Sequence, residues 1–168
     1  MLGLMGAALT SPSHAQAPSL GTAASFGVLA GSTVTNTLTG TSTAITGNVG
    51  VSPGTAVTNF PTPGTLTGTI YAGGAVALQA QSDNTIAYLN LAGRPVTADL
   101  TGQDLGGKTL IAGVYGYSSS AQLTGTLTLD GQGNANSVFI IKIGSNLTTA
   151  SNSSIKLING AQGGNVFF

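Results

Sequence analysis

Along most of the chain, apolar positions alternate with hydroxyl-bearing ones. Thr65-Leu66-Thr67-Gly68-Thr69-Ile70 puts hydroxyls on one side of an extended backbone and apolar groups on the other. Short β-prone runs of this kind fill Leu20 to Thr69, among them Phe26-Gly27-Val28-Leu29, Ser32-Thr33-Val34-Thr35 and Ala44-Ile45-Thr46. Breakers separate them at Ser52-Pro53-Gly54 and Pro61-Thr62-Pro63-Gly64. One segment departs from the alternation. Gly73 to Leu91 is rich in Ala, Leu and Gln and free of Pro, and Val76, Ala80, Asp83, Ala87 and Leu91 recur at steps of three and four. Gly93 then Pro95 is a helix stop. The pattern predicts one helix over about 73–92, lying along a body of strands.

From Leu100 the β pattern returns with an internal repeat. Val138-Phe139-Ile140 is echoed by Val166-Phe167-Phe168, and Thr128-Leu129-Asp130-Gly131 by Lys156-Leu157-Ile158-Asn159. Both echoes have an offset of about 28 residues, the period range of solenoid coils. A single coil cannot bury its apolar side, so coils must stack. Leu127, Leu129, Val138, Ile140, Ile155 and Leu157 are expected to face the core, and Thr126, Thr128 and Lys156 to face out. The chain ends inside an apolar strand, and we read the domain as truncated there.

Composition narrows the function. The 168 residues suffice for one domain with a sizeable core. Hydrophobic residues make up 41% and charged ones only 5%, with no glutamate, so the chain folds and its surface is polar through hydroxyls and amides. A net charge of zero removes the electrostatic basis for binding nucleic acid or an anionic membrane. There is no cysteine, hence no disulfide framework and no thiolate metal site. Residues 1–17 read as a secretory signal without its basic region, with cleavage after Ala15 or Ala17; a disordered leader is the other reading. A secreted, extracellular protein is therefore expected.

Motifs for chemistry are weak. Gly102-Gln103-Asp104-Leu105-Gly106-Gly107-Lys108-Thr109 matches the phosphate-loop pattern by letter, but Leu110 to Gly116 reads as strand where that loop needs a helix. A glycine turn is expected instead. Asp130 to Asn136 lacks the alternating acids of a calcium loop and reads as a turn. His14 lies in the leader, so a Ser-His-Asp triad has no histidine. Asp83, Asp99, Asp104 and Asp130 are far apart in sequence, a poor start for paired-carboxylate hydrolysis. Asn146-Leu147-Thr148 and Asn152-Ser153-Ser154 are glycosylation sequons, relevant in a eukaryotic host. No enzyme activity, cofactor or metal is expected. What remains is a surface. Outward residues of stacked coils form ranks ~4.8 Å apart. Ranks of Thr and Ser without charges can order water in a pattern near that of ice, although β propensity alone also puts Thr on exposed strands.

The detailed strings resemble the microbial ice-binding family known as DUF3494. They are Leu20 to Gly31, Ile45 to Gly54, Asp99 to Gly107, Gly113 to Ala121, and Leu157 to Ala161, in order over nearly the whole chain after the leader. The resemblance implies a mostly β fold over 18–168: a right-handed, discontinuous β-helix with one long α-helix alongside and its C-terminal coils missing here. It implies a monomer whose partner is the ice crystal surface, adsorbed through one flat face. Ice faces in the family often carry T-[AG]-x-[TN]. Thr149-Ala150-Ser151-Asn152 fits fully, and Thr39-Gly40-Thr41-Ser42 fits with Ser last. At the 28-residue offset Thr124 would rank beneath Asn152. The expected ice-binding residues are therefore Thr39, Thr41, Ser42, Thr124, Thr149, Ser151 and Asn152, with Lys156 assigned to another face. Two departures stand out: Gly116 and Gly163 or Gly164 occupy the place of a family cysteine pair, and Leu38 is bulky for the first loop. An adhesion or matrix module on the same scaffold is the competing expectation, and a polysaccharide-acting β-helix enzyme a more distant one.

Overall fold

The computed structural model describes residues 16–37, 43–60 and 64–168. Residues 1–15 of the leader and the Thr39-Gly40-Thr41-Ser42 motif, with Leu38 before it, lie outside the described residues. The chain forms two compact units, Pro18–Gly93 and Arg94–Phe168, the latter joined by the described residues 16–17.

In the first unit, strands β1 (Phe26–Ala30), β2 (Thr33–Thr35) and β3 (Ala44–Thr46) make one coil. β4 (Asn48–Val51), β5 (Ala56–Thr58) and β6 (Thr65–Thr67) make the next, and β7 (Ile70–Ala72) begins a third. Each strand pairs in parallel with its counterpart one coil on, giving sheets β1-β4-β7, β2-β5 and β3-β6. Parallel pairing of every strand with the next turn of the chain is what a β-helix requires. The short strands carry the alternation read in the sequence, with the middle residue turned inward: Val34, Ile45, Val57 and Leu66.

Helix α1 (Gly74–Ala92) follows β7 across Gly73 and Gly74, both at φ +80°, a backbone that glycine adopts without strain. It ends at Gly93, within a residue or so of the bounds expected from the sequence. Its buried residues are Ala77, Ala80 and Ala87. Val76, the first of the residues spaced by three and four, is about half exposed, and Ala77 beside it is buried; the small methyl group lets the helix lie close to the sheet. α1 packs on β1, β4 and β7 and on a short 3-10 turn at Gly21–Ser25. Asp83 ties it there, accepting from the Thr22 amide and hydroxyl, both at 2.7 Å, and from Gln79 Nε2 at 2.8 Å.

The second unit repeats the plan of parallel pairing between coils. β8 (Ala98–Asp99), β10 (Gly113–Tyr117), β13 (Phe139–Ile143) and β16 (Val166–Phe167) form one sheet. β9 (Thr109–Ile111), β12 (Thr126–Asp130) and β15 (Ser154–Ile158) form another, and β11 (Ala121–Leu123) with β14 (Leu147–Thr149) a third. Leu105, Leu127, Leu129, Phe139 and Ile141 sit at the centre of its core. Thr128 pairs with Lys156 at the expected offset. Phe139 pairs with Val166, one residue short of it. Leu127, Leu129, Val138 and Ile140 are buried as expected, but Ile155 and Leu157 are 42% and 39% exposed. They do continue the inward columns of Leu127 and Leu129. β15 is the outer strand of its sheet, so these side chains are covered from one side only.

Candidate functional site

Among the described residues no group of three or more His, Cys, Asp or Glu gathers to hold a metal ion, and no helix is long and apolar enough to cross a membrane. The phosphate-loop look-alike is a turn. Gly102 and Gly107 take φ +77° and +76°, Lys108 Nζ donates to Gln103 Oε1 at 2.7 Å, and strand β9 follows in place of a helix. The outward faces of the coils carry the most regular arrangement of polar side chains among the described residues.

The first unit carries two ladders of small hydroxyl and methyl groups. On β2-β5, Thr33 lies beside Ala56 and Thr35 beside Thr58. On β3-β6, Ala44 lies beside Thr65 and Thr46 beside Thr67. All eight are exposed, because strand alternation sends Val34, Val57, Ile45 and Leu66 to the core instead. No charged residue stands in either ladder. The parallel pairing sets neighbouring side chains ~4.8 Å apart along the stack.

The β2-β5 ladder is further locked at its end. Asn36 and Asn59 directly follow Thr35 and Thr58. Asn36 Nδ2 donates to the Asn59 carbonyl at 3.3 Å, Asn59 Nδ2 donates to the Asn36 carbonyl at 2.6 Å, and the Asn36 amide donates to the Thr58 carbonyl at 3.1 Å. Thr43 Oγ1 donates to Asn36 Oδ1 at 2.9 Å. Asn59 turns the chain at φ +62°, a conformation asparagine tolerates better than most residues. Within the ladder Thr58 Oγ1 donates to Thr35 Oγ1 at 3.2 Å. The β3-β6 ladder runs into Gly47 and Gly68, and Asn48 holds the corner just beyond: its Oδ1 accepts from the Thr69 amide at 3.0 Å and its Nδ2 donates to Ser25 Oγ at 3.2 Å.

The expected site residues in the second unit are placed differently from one another. The β11-β14 register sets Gln122 beside Thr148 and Leu123 beside Thr149, so this pair of strands has a shorter offset than β12-β15. Thr149 thereby continues the inward column of buried Leu123, and Thr148 the outward column of Gln122 and, before it, Asp104. The two coils return to the 28-residue offset only at Thr126 and Ser154, whose hydroxyls lie 2.9 Å apart. The extra residues of the later coil form a turn holding Ser151 and Asn152, the latter at φ +62°. The expectation of a straight rank from Thr124 to Asn152 is corrected accordingly: both lie in turns where the coils differ in length. Thr124 is also engaged, its hydroxyl and amide donating to the Asp104 carboxylate. The Thr124 hydroxyl first, then the Thr124 and Gly106 amides, hold the Asp104 carboxyl below its usual range, with Lys108 adding a smaller attraction. Lys156 stands on β15 beside Thr128, on a sheet separate from β14, as the sequence implied.

The alternation that marks Thr33, Thr35, Thr65 and Thr67 as outward is legible in the sequence. Which threonines stand side by side is not, because that depends on coil length, and the offset is 23 residues between Thr35 and Thr58 against 28 between Thr126 and Ser154.

Comparison with known proteins bears on what such a face is for. The family model described as "Ice-binding-like" matches residues 28–168. An ice-binding protein of Nostoc sp. (strain HG1) is 58% identical over 149 residues, covering 89% of this chain and 54% of that protein. An ice-binding protein of Flavobacterium frigoris (strain PS1) is 35% identical over 162 residues, 89% of this chain and 57% of its own length. The chain thus spans about half the length of these two relatives. Among solved structures, an ice-binding protein from the Antarctic ascomycete Antarctomyces psychrotrophicus superposes with a TM-score of 0.82 at 39% identity, covering 89% of this chain and 72% of that one. An ice binding protein from an Antarctic biological consortium gives 0.83 at 40% identity, over 90% and 67% of the two chains.

Proposed function

The chain belongs to the ice-binding-like family, and from that membership we propose that it adsorbs to ice, without catalysis, through the β2-β5 face. The observation that carries this reading is the charge-free ladder of Thr33, Thr35, Ala56 and Thr58, ended by the Asn36–Asn59 lock. Hydroxyls at fixed spacing hold water in place, and the methyl groups of Thr and Ala fill the gaps between those waters without binding them. A charge would orient water radially and break the pattern. Rigidity matters because a face that moves must be ordered on contact, and ordering costs conformational entropy. Bound molecules pin the advancing ice front, which bulges between them, and growth at the curved surface becomes less favourable.

The β2-β5 face is favoured over β3-β6 by the Thr58–Thr35 hydroxyl bond within the ladder and the reciprocal Asn36–Asn59 pair, and over Thr124, Thr149, Ser151 and Asn152 by its straight register. Inhibition of ice recrystallisation tests the choice, with folding checked by circular dichroism. Thr35→Tyr and Thr58→Tyr, which break flatness, should each lower potency several-fold, while Thr67→Tyr and Thr149→Tyr should leave it close to the parent. Loss of potency in Thr149→Tyr, with Thr35→Tyr unaffected, would move the site to the second unit. A folded parent chain that lets ice grains coarsen as in buffer would overturn ice binding itself.

A further inference from the structure

We propose that Gln16 becomes the first residue of the mature chain and closes to a pyroglutamate, and that the charge of Arg94 promotes the closure. This requires the opening residues to be a leader, and no part of it depends on the ice face. Two places for cutting stand in the sequence, after Ala15 and after Ala17. A cut after Ala17 would set Pro18 directly beside the scissile bond. Proline fixes φ and has no N–H for a peptidase to hold, so that bond is a poor substrate. Ser13-His14-Ala15 offers small residues at the first and third places before a cut without that obstacle, and cutting there exposes Gln16.

The surroundings of the new terminus favour the reaction. Gln16 is exposed, so its side chain is free to fold back on its own amine. Arg94 Nη2 donates to the Gln16 carbonyl at 2.5 Å, and Lys142 Nζ donates to the carbonyl of the same arginine at 3.0 Å. An α-ammonium on Gln16 would therefore join a segment to which Arg94 and Lys142 already bring positive charge. Two bonds part the carbonyl carbon from the α-nitrogen, which puts the guanidinium about 5–6 Å from that nitrogen. Like charges so close disfavour the ammonium and enlarge the share of neutral amine, the form that attacks. The bond to the carbonyl also holds the backbone of Gln16 while its side chain moves, so less freedom is lost on closure. In the reaction the α-nitrogen lone pair attacks Cδ of the side-chain amide. A bond forms between the two, the Cδ–Nε2 bond breaks, and Nε2 leaves as ammonia with a proton from the amine. The product is a neutral lactam. It removes the charge that Arg94 opposes and leaves no free amine for an aminopeptidase to engage.

The test is mass spectrometry, a readout independent of ice. The full chain is expressed in a secreting bacterial host, and the N-terminal peptide of the exported protein is sequenced. It should begin at residue 16 and be lighter by one ammonia than the open glutamine form. For the part played by Arg94, the mature chain is released from a fusion with Gln16 first, and its closure is followed near neutral pH. The folded parent should close about three- to tenfold faster than folded Arg94→Gln, and by the same factor faster than the parent in urea. The urea arm keeps the comparison decisive if Arg94→Gln does not fold. A chain that is left uncut or begins elsewhere overturns the leader cut, and the proposal with it. A chain that begins at Gln16 and keeps its ammonia through long incubation overturns the closure. Equal rates in the folded parent and in urea overturn the role of Arg94.

Discussion

Asn36→Ala separates the role of the lock from that of the ladder. Asn36 is 6% exposed and its side chain bridges two segments. The substitution removes its 2.9 Å bond from Thr43 Oγ1 and its 3.3 Å donation to the Asn59 carbonyl. It leaves the backbone contacts of Asn36 with Thr58 and Asn59 in place. A well-formed hydrogen bond contributes about 1 kcal/mol net and a long one about half that. The Thr43 hydroxyl, on an exposed residue, turns to water, whereas the Asn59 carbonyl is partly covered and is not fully compensated. The sum is about 1.5 to 2 kcal/mol. For a chain of this size each kcal/mol moves the thermal midpoint by about 2–4 °C, so circular dichroism should show a fall of about 3 to 8 °C. Recrystallisation inhibition, measured well below that midpoint, should fall as well, although no residue of the ladder has changed. A midpoint within about 1 °C of the parent would refute the reasoning on the lock. A lower midpoint with full potency would show that the lock stabilises the fold without shaping the face.

Other expectations follow from the same geometry. Tyr115 donates its hydroxyl to the Ile111 carbonyl at 2.9 Å, while the buried Tyr117 hydroxyl has no partner among the described residues; in denaturant titrations Tyr115→Phe should cost about 1 kcal/mol and Tyr117→Phe should be neutral or stabilising. A Cβ on Gly106 would stand 1.7 Å from the Thr124 carbonyl oxygen, and one on Gly54 2.0 Å from that of Ser32. Backbone must move in either case, so both alanine variants should lose more than ~2 kcal/mol, and a smaller loss in urea would contradict direct backbone stacking there. Asp83, Asp99 and Asp104 are all held below their usual 3.8, each first by a threonine hydroxyl and next by a backbone amide. Depressed folded values give stability that is present above pH 3.8 and lost as pH falls through the lower, folded values. The thermal midpoint should therefore stay level from pH 8 to about 5 and drop only below about 4; a decline beginning near pH 6 would point to a group other than these three.

Much of the fold was legible because its two periods differ so plainly. Thr-x-Thr alternation means a strand with one wet side, and an alanine-rich stretch free of proline and stopped by Gly93 and Pro95 means a helix. The spacing of Val76, Ala80, Asp83, Ala87 and Leu91 marked the helix but not Ala77, which is buried while Val76 is half exposed, because close packing of α1 on its sheet favours the smaller residue. The 28-residue repeat was correct for β12-β15, where strand length is constant between coils. It failed at β11-β14, where the later coil adds residues in the turn after Thr149.

That failure explains why the candidate site was harder to read than the fold. Inward residues report on themselves, because apolar character identifies Leu127 or Val57 without reference to any neighbour. A flat face is a relation between coils, and a threonine contributes to it only if the next coil brings another to the same height. Thr35 and Thr58 do so at an offset of 23 residues, with Asn36 and Asn59 completing the match. Thr149, in a sequence that resembles an ice-face motif more closely, stands beside Leu123 instead. A motif within one coil therefore says that hydroxyls are available, and the register between coils decides whether they form a surface. In a chain with so few charges, that register is the main means of distinguishing one exposed face from another.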